Sequence, residues 1–170
     1  MTTRFPHSPY PKGWFQVGWS HEIEKGEVRA LRNFGEHLVM WRGESGQVFV
    51  QDAYCRHLGA HRGIGGTVSG DDLACPWHGW EWDGEGRNSS IPYGDDGRKP
   101  NLRIKTYPVI EWHGIITVWY DQENGPPEWQ LPEVPELNRT DFFPMFPHER
   151  RKGDDRQAVD HHAPLVGHLD

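Results

Sequence analysis

The sequence predicts a small all-β domain, a barrel or a sandwich, on three observations. Short runs rich in β-branched and aromatic residues recur between Trp14 and Tyr120. Turn signals separate them, at Glu44-Ser45-Gly46, Ser69-Gly70-Asp71 and Asp83-Gly84. No stretch of this region keeps a 3.6-residue apolar period for three turns, so no amphipathic helix competes. Composition agrees, since 20 Gly and 14 Pro in 170 residues suit a turn-rich chain better than a helical bundle.

Taken in order, residues 1–12 carry Pro6, Pro9 and Pro11 and read as an extended N-terminal arm. Residues 13–120 form the domain, with strands predicted over Trp14–Trp19, Val28–Phe34, Leu38–Arg42, Val48–Asp52, Leu102–Tyr107 and Ile115–Tyr120. Residues 121–147 hold six prolines in 27 residues and read as a semi-rigid connector. Residues 148–170 are charged and hold His148, His161, His162 and His168. With no apolar periodicity, this tail is expected to be poorly ordered, or cut short by an early end or a frame shift after Lys152.

Bulk properties exclude several function classes. The net charge of −7 leaves no general basic face for nucleic acid. No apolar run approaches the roughly 20 residues of a membrane span. Met1 to Lys12 lacks the apolar segment of a signal peptide, so a cytoplasmic location is expected. Two cysteines are too few for a disulfide framework.

Both cysteines instead fall in one pattern. Cys55-Arg56-His57 is followed, 17 residues on, by Cys75-Pro76-Trp77-His78, which is C-x-H-x17-C-x2-H. Each half follows a strand-like run and is followed by glycine, at Gly59 and Gly79. Two loops each present one thiolate and one imidazole. Thiolate is the soft ligand of iron–sulfur clusters, and imidazole on one of the two irons defines the Rieske [2Fe-2S] type. Two Cys and two His also make a tetrahedral zinc site, although zinc knuckles commonly pair like with like. The plainest alternative leaves the cysteines as small buried apolar residues and the histidines as incidental.

Tyr54-Cys55-Arg56-His57-Leu58-Gly59 and Ala74-Cys75-Pro76-Trp77-His78-Gly79-Trp80 resemble the Rieske domains of ring-hydroxylating oxygenases. The run from Trp82-Asp83-Gly84-Glu85-Gly86-Arg87 to Ile91-Pro92-Tyr93, and the entry Pro11-Lys12-Gly13-Trp14-Phe15, resemble the branch of the 3-ketosteroid 9α-hydroxylase oxygenase component and the cholesterol-desaturase-like proteins. The resemblance covers about residues 10–140 and implies a Rieske-type antiparallel β-sandwich or barrel with a two-loop cluster-binding subdomain. It implies Cys55 and Cys75 on one iron and His57 and His78 on the other. It also implies an NADH-linked reductase or a ferredoxin as electron donor, a homo-oligomer such as a trimer, and a mononuclear Fe(II) that activates O2 on a steroid or aromatic substrate.

That second iron has no evident site here. The family's entry motif resembles N-x2-D-x2-H-x4-H, whereas Asp160-His161-His162 and His168 have the wrong spacing and no Asn-x2-Asp before them. Three functions therefore stand side by side: the electron-transfer domain of an oxygenase component, a stand-alone Rieske ferredoxin, and a structural zinc domain. Cytochrome bc-type Rieske proteins carry an extra Cys in each loop and Ser and Tyr hydroxyls at the cluster. The matching positions are Ala60 and Trp77, and Trp80 and Trp82. Without hydroxyl donors the potential is expected near the low end of the Rieske range, about −150 mV. Trp77, Trp80 and Trp82 read as core residues that also shield the site. His61 is not expected to be a ligand. Arg56 and Arg62 read as partner-docking or backbone-bonding residues, or as plain solvated surface.

Overall fold

The computed structural model describes residues 10–94 and 99–138. Within them the regular elements are strands and two short 3-10 turns, at Ser20–Glu22 and Pro135–Asn138. The strands are β1 (Gly13–Trp19), β2 (Val28–Asn33), β3 (Glu36–Arg42), β4 (Val48–Asp52), β5 (Thr67–Ser69), β6 (Asp72–Ala74), β7 (Glu81–Trp82), β8 (Asn88–Ser90), β9 (Thr106–Tyr107), β10 (Val109–Trp112) and β11 (Ile115–Tyr120). They form three antiparallel sheets, ordered β1-β11-β10, β2-β3-β4-β9 and β5-β6-β7-β8.

The middle sheet is buried on both faces, and β3 shows why. Its run Leu38-Val39-Met40-Trp41 is apolar without alternation, the pattern of a strand covered on two sides. Leu38 and Met40 join Phe15, Val48, Val50, Ile116 and Val118 in the core shared with the first sheet. Val39 and Trp41 face the other way and pack on Leu73 of β6. Trp41 Nε1 also donates to the Asp71 carbonyl at 2.9 Å, and Gln51 Nε2 of β4 to the Asp83 carbonyl at 2.7 Å. These buried bonds fix the small third sheet against the middle one.

The β2–β3 hairpin turns at Phe34-Gly35, both with positive φ, of 59° and 75°. Positive φ at both central residues suits the twist of a two-residue hairpin, but a phenylalanine there is strained. Packing holds it, since the Phe34 ring stacks on Tyr120 with centroids 4.2 Å apart.

Two strands expected from the sequence match their bounds, Val48–Asp52 and Ile115–Tyr120. One expectation is corrected. Only Thr106–Tyr107 of the predicted Leu102–Tyr107 strand pairs regularly, with β4. The Leu102 amide turns back to the Pro100 carbonyl, Arg103 bridges Arg87, and the Ile104 amide donates to Gly86. The segment thus serves the turn after β7. Strands β5 to β8 and β10 were not predicted, because two- to four-residue strands holding Asp, Asn, Ser and Glu are too short to show alternation.

Residues 121–138, expected from the sequence as a connector, lie back on the first sheet. Trp129 packs edge-on against Trp119 at 4.5 Å, Trp14 Nε1 donates to the Trp129 carbonyl at 2.8 Å, and Trp112 Nε1 donates to the Pro132 carbonyl at 3.0 Å. Most of the arm 1–12, the second part of the connector and the tail 148–170 with its histidines lie outside the described residues. Among the described residues no helix is long and apolar enough to cross a membrane.

Candidate metal centre

The two motif halves fold into copies of one loop. In the first, the Cys55 amide donates to the Ala60 carbonyl at 2.9 Å and the Gly59 amide to the Cys55 carbonyl at 2.9 Å. In the second, the Cys75 amide donates to the Trp80 carbonyl at 2.9 Å and the Gly79 amide to the Cys75 carbonyl at 3.0 Å. The fifth residue of each loop has positive φ, 76° at Gly59 and 67° at Gly79, a conformation only glycine adopts cheaply. The glycine after each motif half was thus the sequence signal for the turn. The loops differ in histidine placement, two residues after Cys55 and three after Cys75.

The structure brings the two thiols together on the inside and the two imidazoles together on the outside. Cys55 and Cys75 are buried free cysteines packed with Ala60, Trp82 and Ile104. His57 is half-buried and His78 exposed, with ring centroids 4.8 Å apart. Burial pushes the Cys55 thiol up, the His57 amide in its own loop pulls it down, and Cys75, close enough to hydrogen-bond it, pushes it up again. Two thiols this close compete for ionisation unless a cation takes both.

Trp80 and Trp82 divide the labour around this pair. The Trp80 indole lies flat under the His57 ring, 4.4 Å away and only 3° from parallel, and its N–H donates to the Tyr93 hydroxyl. That stack fixes the imidazole plane. Trp82 is fully buried, and its N–H has no conventional acceptor while lying close enough to Cys55 to favour the thiolate. An indole N–H thus stands at a position that lacks the hydroxyl donor.

One expectation for residues near the loops is corrected. Trp77 is not core, since it is 64% exposed, edge-on to the His78 ring. Of the readings for Arg62, solvated surface fails, since it is fully buried, and backbone bonding holds, since Nη2 donates to the Asp52 carbonyl at 2.7 Å. Burial pushes its guanidinium down to about 10, while Cys55, Cys75 and Asp52 favour its charged form. Arg56 stays exposed and donates from Nε to the Arg103 carbonyl at 3.1 Å. His61 faces away from the thiols, packing on His37 and Tyr54, and burial lowers its pKa with help from His37. Sequence reasoning missed Tyr93 as the brace of Trp80. Its one signal was its place in the Ile91-Pro92-Tyr93 run.

The donor set suits a two-iron cluster. Two adjacent buried thiols and two adjacent outer imidazoles offer two ligands of each kind. The unpartnered N–H groups of Trp82 and Arg62 point to an acceptor-rich anionic guest. Among the described residues no three His, Cys, Asp or Glu side chains are placed to share one ion. A two-iron cluster asks only two of each iron.

A fold of stacked antiparallel sheets with twin Cys/His loops at one end defines a class, and the chain belongs to it: residues 13–108 match the Rieske [2Fe-2S] domain family. The Rieske-type [2Fe-2S] cluster is the cofactor of that domain. Among characterised relatives, the chain is 40% identical over 137 residues to cholesterol 7-desaturase nvd of Bombyx mori, covering 81% of this chain and 30% of that protein. It is 40% identical over 133 residues to a probable 3-ketosteroid-9-alpha-monooxygenase, oxygenase component, of Rhodococcus rhodochrous, covering 76% and 33%. The chain thus spans about a third of the length of such relatives. Among solved structures, apo dicamba monooxygenase superposes with a TM-score of 0.65 at 25% identity, over 75% of this chain and 39% of that one. The reduced oxygenase–ferredoxin complex of carbazole 1,9a-dioxygenase gives 0.56 at 26% identity, over 63% and 28%.

Proposed function

We propose that Cys55 and Cys75 hold one iron and His57 and His78 the other, and that the chain is the electron-transfer domain of a steroid-oxidising oxygenase component. The observation that carries the ligand assignment is the twin hydrogen-bond pattern of the loops, with both thiols buried and both imidazoles at the rim. When bound, the cluster supplies one-electron redox chemistry at a potential set by its surroundings. The protein's own residues do the rest. Trp80 holds the His57 plane, Trp82 offers its N–H at Cys55, and buried apolar side chains keep water from the thiols. His78 and the exposed rim of Leu58 and Trp77 leave the imidazole edge open to a partner.

The electron source is proposed to be an NADH-linked reductase or a ferredoxin, and the location the cytoplasm. The carbazole dioxygenase complex supports a ferredoxin by likeness. The acceptor is proposed to be a mononuclear iron outside the described residues, in an assembly of several copies. The desaturase and monooxygenase relatives favour a steroid over an aromatic acid as substrate.

The test combines iron, sulfide and zinc analysis with electron paramagnetic resonance of the dithionite-reduced protein. A reducible [2Fe-2S] signal with matching iron and sulfide is expected. Stoichiometric zinc in a colourless protein without that signal would sink the reading.

A further inference from the structure

Arg62 is a buried cation that the ligand assignment does not use. The first loop closes as a small antiparallel ladder, in which the Arg62 amide donates to the Ala53 carbonyl at 2.8 Å, Tyr54 bridges His61, and Cys55 bonds Ala60. Side chains alternate across such a ladder. Tyr54 is exposed, while Ala53, Cys55, Ala60 and Arg62 are all buried and so share the inward face. Arg62 therefore sits diagonally across from Cys55 on the same face, a backbone separation of about 7–8 Å. A Cβ at Gly66 would overlap the Arg62 carbonyl and come within 3.1 Å of the Ala74 carbonyl, which places the Arg62 backbone beside the residue before Cys75. Both cysteine loops thus meet at Arg62.

The guanidinium is held but not neutralised. Nη1 donates to Gln51 Oε1 at 2.9 Å and Nη2 to the Asp52 carbonyl at 2.7 Å. Nε–H has no partner. Among the described residues no carboxylate lies within ion-pair distance of it. The Asp52 carboxylate accepts the Tyr107 hydroxyl at 3.0 Å instead. A buried positive charge with no ion-pair partner is stable only where negative charge stands near it. Cys55, Cys75 and the Asp52 carboxylate are the nearby groups that favour its charged form.

We propose that the buried positive charge of Arg62, at the junction of the two cysteine loops, raises the reduction potential of the centre. This rests on the Rieske reading. Reduction adds one electron to the centre, and a fixed cation favours the more negative state through Coulomb attraction that solvent barely screens. Arg62 and the Trp82 N–H thus work against the low potential expected from the missing hydroxyl donors.

The experiment is a redox titration of the full chain, followed by electron paramagnetic resonance at fixed pH. It compares wild type with Arg62→Lys, Arg62→Gln and Arg62→Met. Gln and Met remove the charge with different shapes, so one can fold where the other does not. Either neutral variant is expected to shift the reduction equilibrium about tenfold toward the oxidised state, about 59 mV lower for one electron. That shift should persist at high salt. Lys should restore most of the potential even if it lowers thermal stability. An intact cluster signal with an unmoved potential in a neutral variant, or a Lys variant shifted as far as Gln, overturns the proposal and makes Arg62 a purely structural brace. A wild-type chain with no reducible iron–sulfur signal overturns the Rieske reading itself.

Discussion

The two ends of the molecule bury their side chains by different means. Between the sheets, Phe15, Leu38, Met40, Val50, Ile116 and Val118 fill a continuous apolar core, and every strand has a paired neighbour. Around the cysteines, Ala60, Trp82 and Ile104, with Trp80 against them, make a thin cluster over strands of two or three residues. The sandwich can stand on apolar burial alone. The cluster end has far less apolar burial, and under the proposed ligation its loops would draw stability from the metal, since ligation free energy is folding free energy.

The largest effects should separate these ends. Cys75→Ser should abolish cluster uptake, and visible absorption and iron content check it. Amide exchange should then rise at β5 to β8 and at both loops, while β1 and β11 stay protected. Trp41→Ala strikes the seam between the middle and third sheets, and a fully buried Trp→Ala typically costs about 3–5 kcal/mol. Its signature in denaturant is one destabilised global transition. Equal exchange at both ends of the Cys75→Ser protein would refute the division.

The twin loops allow a finer contrast. Gly59 and Gly79 share positive φ, but a Cβ at Gly59 meets nothing within 4 Å, whereas one at Gly79 comes within 2.9 Å of Pro92 Cγ. Gly59→Ala should therefore cost only the left-handed backbone penalty, about 1–2 kcal/mol. Gly79→Ala adds overpacking, typically about 1–3 kcal/mol more. Thermal melts of the loaded protein check the order. A Gly59→Ala variant as damaged as Gly79→Ala would mean that backbone strain alone governs both loops.

How much of this was legible in the sequence follows from the same division. β4 and β11 announced themselves by dense β-branched and aromatic residues, and the loops by mixed Cys/His pairs followed by glycine. The third sheet was silent, because Asp72-Leu73-Ala74 and Glu81-Trp82 carry one inward side chain each and owe their form to Trp41 and Gln51 across the seam. The burial of Arg62 was not legible for a related reason, although its bond to nearby backbone was among the readings. Arginine is almost never buried unpaired, and only the ladder opposite Ala53 turns it inward.

The smallest effect belongs to the sandwich end. Arg42 of β3 reaches Glu111 of β10 with both forks, Nη2 to Oε1 at 2.7 Å and Nη1 to Oε2 at 3.0 Å. It also donates to the carbonyls of Ser20, Ile23 and Gly46. Those three carbonyls keep the guanidinium satisfied if the carboxylate goes. The hydrogen bonds from Arg42 hold the Glu111 carboxyl below its usual 4.5, against partial burial. A depressed folded value means that the pair stabilises fully above about pH 4.5 and loses its contribution as pH falls through the folded value. Glu111 is a third exposed, so solvent screening leaves well under 1 kcal/mol at neutral pH. Glu111→Gln should accordingly lower the neutral-pH melting temperature slightly and shrink that deficit on acidification. Melts across pH 3 to 7, at low and high salt, check it. A deficit that stays unchanged toward acid would show that the side chain's packing, not its charge, joins the two sheets.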